Sequence, residues 1–237
     1  MTISVRGSDP SPTTAVFFDV DFTLIYPGPA FQGEGYQAFC SRHGMDVDPH
    51  RFTAAVHSAS HILDREQDAV YNPQIFIDYT AHIIREMGGR GDTVEMCAAE
   101  IYQEWAACQH FVLYEDVPAV LQTLADQDIQ LGLISNSHRC LESFQEHFEL
   151  DGLIDVSISS SQHGYMKPHP SIFEAALKLA GVTAAEAMMV GDSLTQDIEG
   201  ARRVGMKGVL VRRSDAPFDA PSDVPVIRTL KELPGHL

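Results

Sequence analysis

The stretch AVFFDVDFTL, residues 15–24, constrains the fold more than any other part of this 237-residue sequence. Four apolar residues run directly into Asp19, and Asp21 and Thr23 follow at alternate positions. An unbroken apolar run of this kind is typical of a buried parallel strand. Open α/β sheets bind ligands at the carboxyl ends of such strands. The stretch therefore predicts a strand that brings carboxylates to a ligand-binding edge.

The two carboxylates also predict a chemistry. Asp19 and Asp21 are two residues apart beside an apolar strand, so their charges repel each other. A divalent cation or a shared proton would relieve this repulsion. We therefore predict that Asp19 is a nucleophile, that Asp21 is an acid and base, and that Mg²⁺ lies between them and a substrate phosphate. The alternative for this stretch alone is a turn that caps a strand.

The charge balance narrows the classes of partner. The sequence has 16 Lys and Arg against 33 Asp and Glu, a formal net charge of −17. Proteins that bind nucleic acid need clustered Lys and Arg, so we expect no nucleic-acid partner. A small anionic substrate stays compatible with this charge, because one metal ion and one lysine reverse its sign locally. The longest apolar runs are too short to span a bilayer, so we expect no membrane partner.

Cysteine usage and the first residues bear on the compartment. The four cysteines form no Cys-x-x-Cys pair, which favours free thiols in a reducing environment. Residues 1–14 are polar, contain two prolines and lack the apolar core of a signal peptide. We expect a flexible N-terminal tail over residues 1–14 and a cytoplasmic protein.

Two kinds of pattern divide the rest of the chain. Residues 15–28 and 112–237 alternate strands with helices, which predicts an α/β core: a Rossmann-like parallel sheet with helices on both faces. Residues 29–111 show helical periodicity and no convincing strand, which predicts an inserted helical bundle. Pro27, Gly28 and Pro29 end regular structure and predict a hinge.

The expected elements can be given by number. In the bundle we expect helices over residues 35–43, 49–65, 73–87 and about 92–108. In the core we expect helices over 117–127, 138–148, 171–180 and 195–204. We expect strands over 129–134, 154–158, 187–190 and 207–211, and an edge strand within 221–227.

Polar residues follow the predicted strands where they end. Ser135 and Asn136 follow the second strand just before a helix, where hydroxyl and N–H groups suit phosphate oxygens. Asp192 follows an apolar strand, Asp197 lies five residues further on, and Lys167 lies in a loop. Taken singly, these residues also fit helix capping or a solvated lysine. Together at one edge of a sheet they predict a metal and phosphate site.

Four segments in this order carry a family resemblance. They are Asp19-Val20-Asp21-Phe22-Thr23, Ser135-Asn136, Lys167-Pro168 and Gly191-Asp192-Ser193-Leu194-Thr195-Gln196-Asp197. Together they resemble the four ordered motifs of the haloacid dehalogenase (HAD) superfamily over residues 15–211, the inserted bundle excepted. The resemblance implies a HAD-type phosphoric monoester hydrolase with an α-helical cap between the first and second motifs.

The resemblance also implies a role for each matching residue. Asp19 would form an aspartyl-phosphate, and Asp21 would protonate the leaving oxygen and then deprotonate water. Mg²⁺ would be held by the carboxylates of Asp19 and Asp192 and by the main-chain carbonyl of Asp21. Asp197 would orient a lysine or a metal-bound water. The phosphoryl oxygens would be bound by Thr23, Ser135, Asn136 and Lys167.

Several branches of the family stay open. Asp21 favours a phosphatase over a 2-haloacid dehalogenase, because a dehalogenase has no alkoxide to protonate. A phosphonatase-type cap uses a lysine, and residues 30–111 contain none. A phosphomutase and a non-catalytic binding protein on the same scaffold remain alternatives. We expect a small phosphorylated metabolite as the substrate, and a monomer or a homodimer.

Two residues depart from the family pattern. Phe22 stands where many members have Gly, and we expect it to pack beneath the strand. His169 stands where Asp is frequent, and we expect it to be a loop residue.

Overall fold

The computed structural model describes residues 11–63, 70–213 and 221–237. The strands are β1 Ala15–Phe18, β2 Ile25–Pro27, β3 Phe111–Leu113, β4 Gln130–Ser135, β5 Val156–Ser159, β6 Ala187–Gly191, β7 Lys207–Val211 and β8 Val226–Ile227. Six of them form one parallel sheet in the order β5-β4-β1-β6-β7-β8. The predicted parallel α/β sheet is therefore confirmed, with β1 near its centre.

The unbroken apolar run of β1 is explained by burial on both faces. Val16 and Phe18 point into one hydrophobic cluster, and Ala15 and Phe17 point into another. β1 pairs with β4 on one side and with β6 on the other. A strand that is covered on both faces has no polar position, which is why its sequence does not alternate.

Helices cover both faces of this sheet. The helices of the inserted segment are α1 Gly33–Arg42, α2 Phe52–Leu63, α3 Pro73–Glu86 and α4 Val94–Glu104. Those of the core are α5 Val117–Ala125, α6 Leu141–His147, α7 Ser160–His163, α8 Pro170–Ala180 and α9 Gly200–Arg203. The buried side chains of α5 and α6 join the cluster that contains Phe18. Those of α8 and α9 join the cluster that contains Phe17. The predicted helices on both faces are confirmed.

Three predicted elements of the core differ from the structure in more than a shift of their ends. The helix expected from residue 138 begins at Leu141, after a loop. The helix expected over 195–204 is a π-helical turn, Leu194–Glu199, followed by α9. The predicted edge strand shortens to the two residues of β8. Helical periodicity alone does not distinguish a wide π turn from an α-helix.

A two-stranded ribbon lies where the sequence predicts a hinge. β2 and β3 pair antiparallel, with Ile25 opposite Leu113 and Pro27 opposite Phe111. β2 ends at Pro27, in agreement with the prediction that this segment ends regular structure, but the strand and its pairing with β3 were not expected. The hinge stays a prediction. A ribbon of two strands consists of edges only, and an edge strand tolerates a proline whose missing N–H faces away from its partner. The ribbon thus pairs the segment that enters the inserted helices α1–α4 with the segment that leaves them.

The inserted helical segment contacts the sheet region through main-chain and side-chain bonds. Tyr71 N donates to the carbonyl of Gly164 at 2.9 Å, next to a β-bridge between Val70 and Tyr165. These contacts bring the segment onto the same side of the molecule as the loop that precedes α8.

Part of the predicted N-terminal tail is bonded to the sheet. Thr14 N donates to Glu186 O at 2.8 Å, and Gln130 N donates to Thr14 O at 2.9 Å. Lys207 Nζ contacts the carbonyl of Ser11 at 2.7 Å. Thr14 thus extends the hydrogen bonding of β1, and the flexible tail over residues 1–14 stays a prediction. Its residues 1–10 lie outside the described residues, as does the end of the helix predicted over 49–65.

Within the described ranges, no helix combines the length and the apolar character that crossing a membrane requires.

Candidate active site

The carboxyl ends of three neighbouring strands assemble the site. Asp19 follows β1, Asn136 follows β4 and Asp192 follows β6, and these strands are adjacent in the sheet. Asp19 N donates to Val190 O at 2.9 Å, which continues the strand pairing up to the carboxylate. The predicted gathering of strand ends at one edge is thus present in the structure.

Lys167 is the centre of the site. Its Nζ donates to Asp19 Oδ1 at 2.7 Å, to Asp197 Oδ1 at 2.6 Å and to the carbonyl of Ile134 at 2.7 Å. The residue is 3% exposed. Burial by itself lowers the pKa of Lys167, but the charges of Asp19 and Asp197 outweigh burial and raise that pKa above its ordinary value. The ammonium therefore stays charged, and its three N–H donors are all used.

The carboxylates exceed the positive charge available to them. Burial raises the pKa of Asp19 to about 7, although Lys167 opposes this shift. Burial, followed by the charge of Asp19, also raises the pKa of Asp192 well above its ordinary range. Both shifts indicate that too little positive charge lies nearby to stabilise the two carboxylates in their anionic form.

This donor set fits a divalent cation. Carboxylate oxygens of Asp19, Asp192 and Asp197 all lie within 4.8 Å of one another. Three carboxylates around one lysine leave two negative charges, and hard oxygen donors of this kind suit Mg²⁺. Asp197 also accepts from Ser193 N at 3.0 Å and from Lys167, so its oxygens are already occupied. Asp19 and Asp192 are the better candidate ligands.

Gly191 permits this close arrangement. A Cβ atom built at Gly191 would lie 2.2 Å from Asp197 Oδ2. Any side chain there would displace the carboxylate that Lys167 contacts. The Gly-Asp pair after β6 is therefore a packing requirement of the site.

Asn136 holds the lysine loop against β4. Its Nδ2 donates to the carbonyl of Lys167 at 2.9 Å, and its Oδ1 accepts from Lys167 N at 2.7 Å. Nδ2 also contacts Gln196 Oε1 at 3.1 Å. In this structure the amide thus positions Lys167 through its main chain. Its predicted contact with phosphoryl oxygens is not tested by this geometry.

The other two predicted phosphate ligands are buried. Ser135 is 1% exposed, and its Oγ donates to Ser137 Oγ at 2.9 Å. The Thr23 hydroxyl is fully buried and has no hydrogen-bond partner in the described part of the chain. Their role in phosphate binding stays a prediction.

Asp21 has a partner that the sequence did not indicate. Arg139 Nη1 donates to both carboxylate oxygens of Asp21 at 3.1 Å. Arg139 precedes α6 and lies four residues after Ser135, within the loop that opens the second motif. Only its closeness to Ser135 along the chain could have indicated this role, because an arginine in a loop is ordinarily solvated.

Phe22 does not pack beneath the strand, so that expectation is wrong. The residue is 44% exposed and its φ is +65°, in the left-handed region. Its ring lies 6.5 Å from that of Trp105. It borders a cavity of about 330 Å³, whose lining residues are Phe22, Tyr114, Asp192, Val211, Arg212 and Arg213. The backbone that favours Gly here turns the side chain outward.

His169 is the N-cap residue of α8. Its Nδ1 accepts from Ser171 N at 3.2 Å, and its ring stacks on Tyr165 at 4.3 Å. The predicted loop residue thus has a local role in starting a helix.

The fold and the site together define a class of enzyme. A parallel α/β sheet presents a candidate carboxylate nucleophile, a buried charged lysine and an acidic cluster at its carboxyl edge. Such a site can bind the anionic oxygens of a phosphoryl group and transfer that group to a carboxylate.

Comparison with known proteins gives the family. The sequence model of the haloacid dehalogenase-like hydrolases matches residues 13–205. The chain therefore belongs to the haloacid dehalogenase-like hydrolase family.

Individual relatives are similar over most of the chain. N-acylneuraminate-9-phosphatase of Rattus norvegicus is 30% identical over 94% of this chain and 93% of its own length. Glyceraldehyde 3-phosphate phosphatase of Pyrococcus furiosus is 29% identical over 82% of this chain and 78% of its own. A crystal structure of a HAD phosphatase from Thermococcus onnurineus is 25% identical with a TM-score of 0.64, and covers 94% of this chain and 97% of that chain.

These findings confirm the predicted family, its phosphatase branch and the enzyme class. The chain is a HAD-type phosphoric monoester hydrolase.

Proposed function

We propose that this enzyme hydrolyses a small phosphorylated metabolite through an aspartyl-phosphate on Asp19, with Mg²⁺ as cofactor. The observation that carries the proposal is the triad of Lys167, Asp19 and Asp197, which is buried at the carboxyl edge of the sheet beside Asp192. The similarity to phosphatases over most of the chain supports the substrate class.

The metal would be held by this chain's own oxygens. Asp19 and Asp192 would supply carboxylate ligands and Asp21 its main-chain carbonyl. When bound, Mg²⁺ would neutralise the charge of the phosphoryl oxygens and of the two carboxylates.

The first half-reaction forms the covalent intermediate. A carboxylate oxygen of Asp19 forms a bond to phosphorus while the bond from phosphorus to the ester oxygen breaks. The leaving oxygen takes the proton of the Asp21 carboxyl group, so the alcohol departs neutral.

The second half-reaction restores the enzyme. Asp21, now a carboxylate, accepts a proton from water as the water oxygen bonds to phosphorus. The bond between phosphorus and Asp19 breaks, which releases inorganic phosphate and returns the carboxylate. Asp21 ends the cycle protonated, so protons and charges balance.

Lys167 would offset the repulsion between the anionic nucleophile and the anionic substrate. Its ammonium is already oriented by Asp197 and by the carbonyl of Ile134, so little reorganisation accompanies the reaction. This orientation supports the roles of Asp197 and Asn136 as positioning residues.

We also propose that residues 29–111 act as the cap of this active site. The four helices α1–α4 lie between β2 and β3 in the chain, and Tyr71 contacts Gly164 near the lysine loop. The β2–β3 ribbon would then be the hinge. A cap of this kind excludes water from the reaction and contacts the part of the substrate beyond the phosphate.

The test is phosphate release from a panel of phosphorylated metabolites, with Mg²⁺ and with EDTA. We expect Mg²⁺-dependent release, its loss in Asp19→Asn, and its retention in the surface control Asp151→Asn. Mass spectrometry of acid-quenched Asp21→Asn should show one added phosphoryl group on the peptide that contains Asp19. Release that persists in Asp19→Asn would overturn the proposed nucleophile. A panel with no release, beside turnover of a halogenated acid, would overturn the substrate class.

A further inference from the structure

Arg139 is among the largest fully buried side chains in the described residues. It is 1% exposed, although it carries a permanent positive charge. One nitrogen, Nη1, lies 3.1 Å from each oxygen of the Asp21 carboxylate, and Nη2 donates to the carbonyl of Trp105 at 2.8 Å. Its guanidinium carbon lies 4.4 Å above the ring of Phe111.

This arrangement is expensive if its purpose is stability alone. Burying an arginine costs several kcal/mol of desolvation, and its single carboxylate partner remains 18% exposed. Nε of Arg139 is also buried and lacks a partner among the residues that the structure describes. An apolar side chain in this place would avoid both costs. The bonds to Asp21 therefore indicate that the orientation of this carboxylate matters for function.

The orientation of the Asp21 side chain depends on Arg139. In the described ranges of the chain, no other donor forms a hydrogen bond to the Asp21 side chain. Because Nη1 contacts both oxygens and the guanidinium is itself held by the Trp105 carbonyl, rotation of the Asp21 carboxylate would break at least one of these contacts. A freely rotating Asp21 would sample many orientations in which no proton reaches a leaving oxygen.

The second and third contacts of Arg139 come from the inserted segment. The carbonyl of Trp105 closes the end of α4, and Phe111 opens β3. Arg139 itself belongs to the loop between β4 and α6. The guanidinium thus joins the sheet-bound acid to the region that we propose as cap and hinge.

We propose that Arg139 is a positioning residue for the chemical step. It holds the Asp21 carboxyl group toward the leaving-group oxygen, and its bond to the Trp105 carbonyl makes this orientation depend on the inserted segment. This inference rests on the proposed function, in which Asp21 protonates the leaving oxygen.

A comparison of leaving groups separates this role from a structural one. An alkyl phosphate expels a strongly basic oxygen that needs a proton, whereas p-nitrophenyl phosphate expels a weakly basic phenolate that does not. We compare kcat/KM, because it covers only the steps up to departure of the alcohol and leaves out the later hydrolysis that both substrates share. We expect Arg139→Met to lower kcat/KM for an alkyl phosphate by roughly a hundredfold or more, and kcat/KM for p-nitrophenyl phosphate by less than roughly tenfold. Arg139→Lys keeps the charge but lacks the planar group that contacts Asp21 and Trp105 together, so we expect partial recovery on the alkyl phosphate.

Arg213 provides a matched control. It is a largely buried arginine whose Nη1 donates to both oxygens of Asp116 at 2.8 Å and whose Nη2 donates to the carbonyl of Thr23 at 2.7 Å. Arg213→Met removes a similar ion pair away from the proposed acid. Any loss that it causes should be equal for the two substrates.

Asp21→Asn separates the proposed role of Arg139 from the proposed role of Asp21. Its kcat/KM should show the same selectivity as that of Arg139→Met, and the double variant should be little worse than Asp21→Asn, because both changes act on the proton transfer to the leaving oxygen. Equal losses on both substrates in the Arg139 variants, with a selective loss in Asp21→Asn, would overturn the role of Arg139 alone. Equal losses of kcat/KM in Asp21→Asn would overturn the proposed role of Asp21 as the acid as well. If Arg139→Met does not fold, Arg139→Lys carries the same comparison.

Discussion

Two buried charge clusters on either side of one cavity differ in their balance. At the site, Lys167 contacts two carboxylates, and Asp192 adds a third within 4.8 Å. Beside the β2–β3 ribbon, Arg213 contacts one carboxylate, Asp116. That carboxylate also accepts from Thr229 Oγ1 at 2.5 Å and from Leu230 N at 2.7 Å.

The pKa values of the carboxylates move in opposite directions. Burial raises the pKa of Asp19 to about 7 despite its lysine. Burial also acts to raise the pKa of Asp116, but the bonds from Arg213, Thr229 and Leu230 outweigh it and lower that pKa below its ordinary value. A satisfied buried carboxylate stabilises the fold, whereas an unsatisfied one is held in place for a ligand that brings positive charge or a proton.

The first prediction concerns the unsatisfied cluster. Asp19→Asn should lower the rate of phosphate release by roughly a thousandfold or more, because the amide cannot form the covalent intermediate. Its free energy of unfolding without metal should equal or exceed that of the wild type, because one uncompensated charge is gone. Phosphate release and urea unfolding measure the two quantities. A marked loss of stability would show that the clusters do not differ as described.

The same substitution in the satisfied cluster should have the reverse effect. Asp116→Asn leaves Arg213 buried without a countercharge, so we expect the free energy of unfolding to fall by about 3–5 kcal/mol. The folded fraction should retain most of its phosphatase activity. Asp223→Asn, which breaks only the exposed pair with Arg202, serves as the control and should leave the urea midpoint unchanged. An equal loss in both variants would contradict the special status of the buried pair.

The stability contributed by the two clusters should depend on pH with opposite signs. The raised pKa of Asp19 means that the native state binds its proton first, so metal-free protein should gain stability relative to Asp19→Asn as the pH falls from 7 to 4. The lowered pKa of Asp116 has the opposite sign, because the unfolded chain binds that proton first. The advantage of the wild type over Asp116→Asn should hold above about pH 4 and be lost below it. Urea unfolding between pH 7 and 3 tests both slopes.

The smallest predicted effect lies in the cavity between the clusters. Phe22→Gly relieves the left-handed backbone at φ +65°, and the greater freedom of Gly in the unfolded chain offsets part of that gain. We expect the free energy of unfolding to change by less than about 1 kcal/mol.

Phe22→Gly also removes the ring that faces Trp105 beside Asp192. KM should therefore rise while kcat changes little, because a wall contact contributes to binding more than to chemistry. Phe22→Asn tolerates the same backbone and is the control for strain alone. A loss of kcat without a change in KM would place Phe22 in the chemical step instead.

The sequence by itself determined the parallel α/β sheet and the order of the site motifs. An unbroken apolar run such as residues 15–18 has few structural solutions, and the polar residues after each strand must meet at one edge. Asp19, Lys167, Asp192 and Asp197 are therefore found together, as predicted. The helical character of α1–α4 was also readable, because it depends on local periodicity.

Only the tertiary structure decided the partners of these residues. Arg139 and Asp21 are 118 positions apart, and Arg213 and Asp116 are 97 apart. Neither pairing leaves a local pattern. The β2–β3 ribbon likewise joins segments on both sides of an insertion. Contacts of this kind depend on how distant segments pack against each other. Local preference and periodicity describe only near neighbours, so they could not specify which carboxylate each arginine binds.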